Sequence, residues 1–438
     1  MTFIGLCAAE GSVGGVSFST SDSSGTSSPR VLRVVADVDT GIDDALALAF
    51  LAVQHRQSAV KLLVTTAAGN CSAVDAARNS AEILRAVLSP DSFSGRQSAH
   101  PKLPHYSVAV VAGAPAPRVL PLETTPETHG PRGLGHWNPE PGAGASAVAL
   151  AAPDQAGETG EADRVEPSAE RAVAAWRAHR PTHLLVCGPA TNLAYAVEHH
   201  PEVLAGCQVA IMAGAFGYPG NTTPTAEWNA WVDPHALHYA LVNWPGNAPK
   251  PLIVPLNVTE QVLLTPDRLN QWLDTLGGVQ AGTASGAPGA APGVVPGDAT
   301  GNAPGATQDT APGAALASIL EPAVRFYFEF HEKVGVGYQA QIHDLAAAMV
   351  LLDEALTLQL EWSATEYHVA VEADSPLTRG TTLAFDPHPP VTPDDGPLAI
   401  VREATARVVD RLEPGGVLKK MGEKLATVNM DDRGAAEN

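Results

Sequence analysis

One stretch of twenty residues constrains this chain more than any other: VLRVVADVDTGIDDALALAF, residues 31–50. It contains four carboxylates within eight residues, and these belong to Asp37, Asp39, Asp43 and Asp44. Carboxylates this close repel one another, so a fold that gathers them offsets their charge with a cation, an arginine or shared protons. No Lys or Arg lies between Arg33 and Arg56. The stretch therefore favours a bound divalent metal, and oxygen-only ligands favour a hard ion such as calcium or magnesium.

The same stretch opens an alternation of strand-type and helix-type segments. Val31–Val38 is an aliphatic run that predicts a buried parallel strand, and Ile42–Leu51 has the apolar spacing of a helix. Further strands are predicted at 61–66, 108–112, 183–187, 209–212, 252–256 and 367–371. Further helices are predicted at 73–88, 168–179, 191–199, 316–331, 344–356 and 397–412. The pattern indicates an α/β fold, a single domain whose open, mainly parallel (mixed) Rossmann-like sheet is flanked by helices. Ligands of such sheets bind at the carboxyl ends of the strands, where the acidic cluster is expected.

Composition marks three kinds of segment around this domain. The Ser-rich residues 1–30 are expected to be a disordered extension, and residues 416–438 a charged C-terminal tail after a domain at 31–415. Residues 139–166 and 276–313 consist largely of Pro, Ala, Gly and small polar residues, which bury too little apolar surface to offset their ordering entropy. We expect both to be flexible insertions. The segment GYPGNTTPTAEWNAWVDP, residues 217–234, is too long for an ordinary connection and is a candidate binding loop.

Charge and cysteine content exclude some classes of partner. The formal net charge of −21 argues against nucleic acid, which requires a basic face. No window approaches 18 uninterrupted apolar residues, so a membrane-spanning helix is not expected. The four cysteines lack CxxC spacing, which indicates reduced thiols in a cytoplasmic protein rather than a disulfide framework or a zinc site.

Three interpretations of DVDTGIDDA, residues 37–45, can be compared. An EF-hand loop starting at Asp37 requires acids where Gly41 and Leu48 stand, so that interpretation fails. A haloacid-dehalogenase phosphatase requires a Thr at the place of Gly41, which makes that match weak. The remaining pattern, a strand, then DxDxGxDDA, then a helix, resembles the N-terminal signature of the nucleoside hydrolases, the calcium-dependent inosine-uridine-preferring family.

Other blocks of the chain resemble the same family, in the family's order. They are TTAAGN at 65–70, HGPRGLG at 129–135, LLVCGPATNLA at 184–194, IMAGAFG at 211–217, GNTTPTAEWN at 220–229 and IHDLAA at 342–347. Several colinear matches across residues 31–412 make a chance resemblance remote. The chain departs from the family in its two insertions, its N-terminal extension and in Ala213, where the family often has Gly.

The resemblance implies a role for each matching residue. Asp39 corresponds to the catalytic base, and His343 to a residue that assists the departing base. The implied metal ligands are Asp39, Asp44, the carbonyl of Cys187, and Asp344. The implied substrate-binding residues are Asp43, Asn70, His129, Met212, Asn221, Glu227 and Asn229. Asp37 is expected to support the site from behind, while Tyr327, His331 and Trp228 are open between a base pocket and ordinary core packing.

By resemblance, the expected activity is calcium-dependent hydrolysis of the N-glycosidic bond of ribonucleosides by a homodimer or homotetramer. Two alternatives stay open at this point. The chain could hydrolyse another N-riboside, such as a nicotinamide or modified-base riboside. It could also be a catalytically silent nucleoside-binding protein that kept the fold. The preferred base is not encoded in any motif of the sequence.

Overall fold

A computed structural model of the 438-residue chain describes residues 31–88, 108–138, 166–277, 312–385 and 404–430. The predicted extension at 1–30 lies outside the described residues. So do nearly all of the predicted insertion at 139–166 and most of that at 276–313. The described part belongs to one compact unit that begins at Val31.

The centre of the fold is a nine-stranded sheet in the order β10-β9-β11-β6-β5-β4-β1-β2-β3. Its strands are β1 (Leu32–Val38), β2 (Val60–Thr66), β3 (Ala109–Ala112), β4 (His183–Val186), β5 (Gln208–Met212), β6 (Leu252–Val254), β9 (Trp362–Val371), β10 (Thr382–Phe385) and β11 (Thr405–Leu412). The seven strands from β3 to β11 are parallel, and β9 runs antiparallel to both β11 and β10. A separate antiparallel pair joins β7 (Leu263–Leu264) to β8 (Ala340–Gln341). The prediction of an open, mainly parallel α/β sheet is confirmed.

The order of the parallel strands determines where a site can form. Strands β3, β2 and β1 extend the sheet in one direction and β4, β5 and β6 in the other, so the topology switches direction between β1 and β4. A crevice opens at the carboxyl ends of the strands at such a switch point. Asp39 directly follows β1 and Cys187 directly follows β4.

Helices cover both faces of the sheet. They are α1 (Ile42–Arg56), α2 (Ala73–Leu88), α3 (Pro126–His129), α4 (Ala169–His179), α5 (Thr191–His199), α6 (Trp228–Val232), α7 (Pro234–Val242), α8 (Leu256–Thr259), α9 (Pro266–Thr275), α10 (Pro312–Lys333), α11 (His343–Leu356) and α12 (Pro414–Leu425). A short 3₁₀ turn spans Pro201–Leu204. No helix of the described ranges is long and apolar enough to cross a membrane.

The alternation of β1 divides the hydrophobic core in two. Val34, Ala36 and Val38 pack in a core with α1, α2, α10 and α11, whereas Val35 packs in a second core with α4, α5 and α7. Successive side chains of a strand point to opposite faces, so Asp37 points to the same side as Val35. Helix α1 is buried along nearly its whole length, which suits the uninterrupted apolar run from Ala45 to Val53.

One prediction about the end of the chain is wrong in the described residues. The helix predicted at 397–412 is instead a strand over Thr405–Leu412, and its residues 397–403 lie outside the described part. The run is rich in β-branched residues and inserts between β6 and β9, so ladder pairing overrides the helical spacing.

The predicted tail is partly helical. Helix α12 buries Val417, Met421 and Leu425, which stand four residues apart on one face and pack in the first core. Leu276, the first residue of the insertion predicted at 276–313, is fully buried at the end of α9. Residues 278–311 of that insertion lie outside the described residues, and its flexibility stays a prediction.

Candidate functional site

Three buried carboxylates converge at the carboxyl end of β1. One oxygen of each of Asp43, Asp44 and Asp344 lies within 4.8 Å of the others. Asp43 and Asp44 occupy the first turn of α1, and Asp344 is the second residue of α11, which packs against α1. The sequence separates these residues by about 300 positions, and the packing of the two helices unites them.

Asp39 stands beside this set and is fully buried. Its Oδ2 accepts a hydrogen bond from the backbone N–H of Asn70 at 2.7 Å, and its Oδ1 accepts one from Asn70 Nδ2 at 3.1 Å. The same Nδ2 lies 3.3 Å from Oδ2 of Asp44, which also accepts from the backbone N–H of Gly41 at 2.8 Å. Asn70 therefore joins the carboxylate at the end of β1 to the cluster on α1.

The environment makes these carboxylates hard to ionise together. Burial, followed by the negative charge of Asp43, raises the pKa of Asp44 to about 7, and burial raises the pKa of Asp43 to about 6. Burial and neighbouring carboxylates also raise the pKa values of Asp39 and Asp344 well above the ordinary range. A cation among them would remove both the repulsion and much of the desolvation cost.

Unpaired oxygens in the site fit such a cation. Buried polar atoms are normally hydrogen-bonded, yet Oδ1 of Asp44, Oδ1 of Asn70 and Oδ1 of Asn229 have no partner among the described residues. Carboxylate and amide oxygens are the ligands that calcium and magnesium prefer. Asp43, Asp44 and Asp344 would hold the ion most closely, with Asp39 and Asn70 beside it. Whether Asp39 itself is a ligand, as the resemblance implies, stays a prediction.

The carbonyl of Cys187, the predicted backbone ligand, already accepts one hydrogen bond. Nδ2 of Asn229 donates to it at 2.8 Å and also to the carbonyl of Met212 at 3.0 Å. A carbonyl oxygen has two lone pairs, so the Cys187 carbonyl keeps one acceptor site. Its thiol is buried, and burial raises the pKa of that thiol, so the side chain is unreactive.

Two predicted sugar contacts have their oxygens engaged with the chain itself. Glu227 caps α6, and its carboxylate accepts from the backbone N–H groups of Asn229, Ala230 and Gly214 at 2.8, 3.0 and 2.9 Å. Asn221 is exposed, and its Oδ1 accepts from the backbone N–H of Trp228 at 3.0 Å. Both residues thereby shape the loop around α6, and their contact with substrate stays a prediction. Asn229, in contrast, is buried and keeps its free oxygen.

Three buried histidines, His129, His331 and His343, lie close to the carboxylates. Nδ1 of His129 accepts from the backbone N–H of Ile42 at 3.1 Å, so the ring proton of this histidine must be on Nε2. Nδ1 of His331 lies 2.8 Å from the carbonyl of Tyr327, so its proton is on Nδ1. Tyr327 packs against both rings, with centroid distances of 5.2 Å to His129 and 4.3 Å to His331. Burial lowers the pKa values of His129 and His343 to about 3, so both are neutral at pH 7.

Three residues that support the site, Thr65, Asn192 and Thr259, were not singled out in the sequence. Asp37 Oδ1 accepts from Thr65 Oγ1 at 2.7 Å and from Asn192 Nδ2 at 2.9 Å, which links β1, β2 and α5 behind the site. The expectation that Asp37 supports the site from behind agrees with these contacts. Thr259, whose hydroxyl lies 2.8 Å from Nδ1 of His343, carries no motif at all. Only the GPATN block could have pointed to Asn192.

Fold and site together define a class of protein: an open α/β sheet with a carboxylate-rich, metal-type crevice at its topological switch point. A family model described as inosine-uridine preferring nucleoside hydrolase matches residues 34–418. The chain belongs to this family, as the sequence blocks predicted.

Similar proteins agree with this assignment. The non-specific ribonucleoside hydrolase RihC of Salmonella newport is 29% identical over 245 residues, covering 55% of this chain and 66% of that protein. An uncharacterized protein of Schizosaccharomyces pombe is 29% identical over 243 residues, covering 54% and 65%. The matched region thus spans slightly less than two thirds of these relatives.

Solved structures share the fold. A plant nucleoside hydrolase, PpNRh1, matches with a TM-score of 0.59 at 21% identity, covering 90% of this chain and 99% of the other. A purine-preferring ribonucleoside hydrolase from Gardnerella vaginalis also has a TM-score of 0.59 at 21% identity, with coverage of 91% and 99%. At 21% identity, the comparison with these two structures shows a shared fold.

Proposed function

We propose that the protein hydrolyses the N-glycosidic bond of ribonucleosides to free base and ribose, with calcium as its resident cation. The main support is the set of buried oxygens at the carboxyl end of β1. The carboxylates of Asp43, Asp44 and Asp344 converge there. Asp44, Asn70 and Asn229 each keep an oxygen with no hydrogen-bond partner among the described residues. Membership of the nucleoside hydrolase family supports the choice of substrate. Cleaving this bond builds positive charge on the ribose ring, which carboxylates and amide oxygens stabilise.

The donor set supports a hard cation. Asp43, Asp44 and Asp344 would hold it, and the free lone pair of the Cys187 carbonyl could complete the set. When bound, the ion neutralises the carboxylates and makes a neighbouring water more acidic. Calcium rather than magnesium is proposed because several carboxylate and carbonyl oxygens from the protein suit calcium, whereas magnesium usually keeps several water ligands.

Asp39 is the proposed general base. Both of its oxygens are fixed by Asn70, so its carboxylate is held in one orientation. A general base must be held within reach of the proton that it takes, and this fixed carboxylate beside the proposed cation site meets that requirement. Asp39 takes a proton from the attacking water as the oxygen bonds to the anomeric carbon. The electron pair of the C–N bond leaves with the base, which takes up a proton from solvent, and Asp39 then releases its proton to solvent.

His129 and His343 are the proposed partners of the departing base. The Nε2–H of His129 is a donor whose orientation is fixed by the backbone of Ile42. Both histidines are neutral, so each offers a hydrogen bond to the developing negative charge rather than a full positive charge. The ribose hydroxyls would meet Asp43, Asn70 and Asn229. We propose cytoplasmic location and homo-oligomeric assembly on the family resemblance alone.

A panel of ribosides tests the proposal. Inosine, guanosine, uridine and nicotinamide riboside are incubated with purified protein, and ribose release is measured. We expect release from inosine and uridine, and its loss in Asp39→Ala. The matched control is Asp267→Asn, which changes an exposed aspartate in the first turn of α9. Tight binding of nucleosides without release of ribose would contradict the proposal and favour a silent binding protein.

A further inference from the structure

Thr259 is a buried hydroxyl placed against one of the site's histidines. It ends the short helix α8 and is fully shielded from solvent. Its Oγ1 lies 2.8 Å from Nδ1 of His343. His343 in turn begins α11, next to Asp344 of the carboxylate cluster. Among the described residues, the hydrogen bond to this imidazole is the one that the Thr259 side chain makes.

The backbone around Thr259 is held firmly. The N–H of Leu256 donates to the carbonyl of Gly214 at 2.9 Å. The side chain of Asn257 accepts from the N–H of Phe216 at 3.1 Å and donates to its carbonyl at 2.9 Å. Helix α8 is thus fastened to the segment that follows β5, and the hydroxyl of Thr259 has a defined position.

Only one direction of this hydrogen bond gives the buried O–H of Thr259 an acceptor. Nδ1 of His343 is the one partner of the Thr259 hydroxyl among the described residues. If Nδ1 carried the proton, the O–H of Thr259 would be buried without an acceptor, at a cost of about 1–3 kcal/mol. If the O–H donates to Nδ1, the Thr259 hydroxyl has its acceptor and the ring proton is on Nε2.

We propose that Thr259 is a positioning residue that holds His343 as the Nε2–H tautomer, so that this N–H donates to the departing base. This inference rests on the proposed function. Nδ1 is occupied, so Nε2 is the nitrogen left for a ligand. His129 is fixed in the same tautomer by the backbone of Ile42, and the two residues therefore present donors of the same kind. A base that departs with an electron pair requires donors rather than acceptors.

The first test reads the tautomer directly, without turnover. Long-range proton–nitrogen NMR spectra are recorded for the wild-type chain and for Thr259→Val, and the His343 signals are identified by their loss in His343→Gln. We expect wild-type His343 to carry its proton on Nε2 and Thr259→Val to show a mixture of tautomers. A wild-type signal from Nδ1–H, or an unchanged signal in Thr259→Val, would overturn the inference even if ribosides are hydrolysed.

The second test separates positioning from general damage. Inosine has a poor leaving group, whereas p-nitrophenyl ribofuranoside releases a stabilised anion that needs no donor. For Thr259→Val we expect kcat on inosine to fall about 100-fold, as for the loss of one preorganised donor, with little change on the p-nitrophenyl substrate. Thr259→Ser, which keeps the hydroxyl, should recover most of the activity on inosine.

The control for both tests is Thr427→Val. It removes a threonine hydroxyl that donates to the Lys424 carbonyl at 2.7 Å, close to Gln57 at the far end of α1. It should match the wild-type chain on both substrates. Equal losses of Thr259→Val on the two substrates, or no loss on inosine, would overturn the inference. No ribose release by the wild-type chain would instead refute the proposed function and leave the NMR test to decide.

Discussion

Asn70 grips both carboxylate oxygens of Asp39, through its backbone N–H at 2.7 Å and its side-chain amide at 3.1 Å. The pairing fixes the orientation of the proposed base and, through the second contact of the amide with Asp44, its distance from the acidic cluster. The two hydrogen bonds also connect the loop after β2, which contains Asn70, to the end of β1, where Asp39 lies. The site depends on this cross-link between neighbouring strands as much as on the acids themselves.

Replacing Asn70 by Ala should disable the site without unfolding the chain. The variant keeps the backbone N–H that binds Oδ2 of Asp39 but loses the amide that binds Oδ1, so the carboxylate is held at one oxygen only and the amide oxygen beside the cation site is removed. We expect kcat/KM for inosine to fall about 10- to 100-fold, as for other residues that orient site ligands. Asn243→Ala, which removes an exposed asparagine bonded to its own helix, is the control. Equal kinetics in the two variants would show that Asp39 needs no such support.

Gly69 has no side chain, and the carboxylate of Asp39 occupies the space that a Cβ at this position would take. A Cβ at this position would stand 2.1 Å from Oδ2 of Asp39 and 2.7 Å from Cδ of Pro189. Gly69→Ala should therefore displace the carboxylate, and a displacement near 1 Å lowers the rate about 100-fold. Gly246→Ala, with nothing within 4 Å of the added methyl group, should behave as wild type in the same assay of ribose release. An active Gly69→Ala variant would exclude Asp39 as a fixed base.

His129 should make stability depend on pH. Its folded pKa of about 3 lies below the value of about 6.5 for an exposed histidine, so unfolding takes up a proton between these pH values. The contribution of His129 to the free energy of unfolding is therefore complete above pH 6.5 and is lost as the pH falls toward 3. In EDTA, the free energy of unfolding of wild type relative to His129→Gln should decrease by about 2 kcal/mol from pH 7 to pH 5. Urea titrations at both pH values check this, and a constant difference would contradict it.

Helix α12 should contribute to stability, in contrast to a disordered tail. Met421 is fully buried in the core shared with α1, whereas Met430 is 63% exposed. We expect Met421→Ala to lower the free energy of unfolding by about 2–5 kcal/mol. Met430→Ala should leave it nearly unchanged. If urea unfolding found both variants equally stable, α12 would not pack as described.

Sequence reasoning succeeded where the information was local. Val31–Val38 and Ile42–Leu51 have the periodicity of a buried strand and helix, and both elements form where predicted. It failed at 405–412, where strand pairing with β6 and β9 decides the conformation. Such pairing depends on residues that lie far away in the sequence.

The site also combines features that local sequence predicts with features that depend on distant residues. The acids of the first stretch could be recognised as a cluster from spacing alone, but Asp344 could be joined to them only through the family resemblance. The contact of Thr259 with His343 and the capping role of Glu227 depend on how loops pack, so neither can be predicted from periodicity or from a motif. Asp43 lies in the set of three converging carboxylates, and the sugar contact that the resemblance implies for it stays a prediction.

The central claim is that a calcium ion held by Asp43, Asp44 and Asp344 is required for hydrolysis. The most direct measurement is ribose release from inosine by protein stripped of metal under mild acid and chelator, followed by stepwise addition of calcium. We predict that the stripped protein is inactive and that activity returns in full as one calcium per chain is bound. Undiminished ribose release by protein whose metal content is verified as zero would contradict the account.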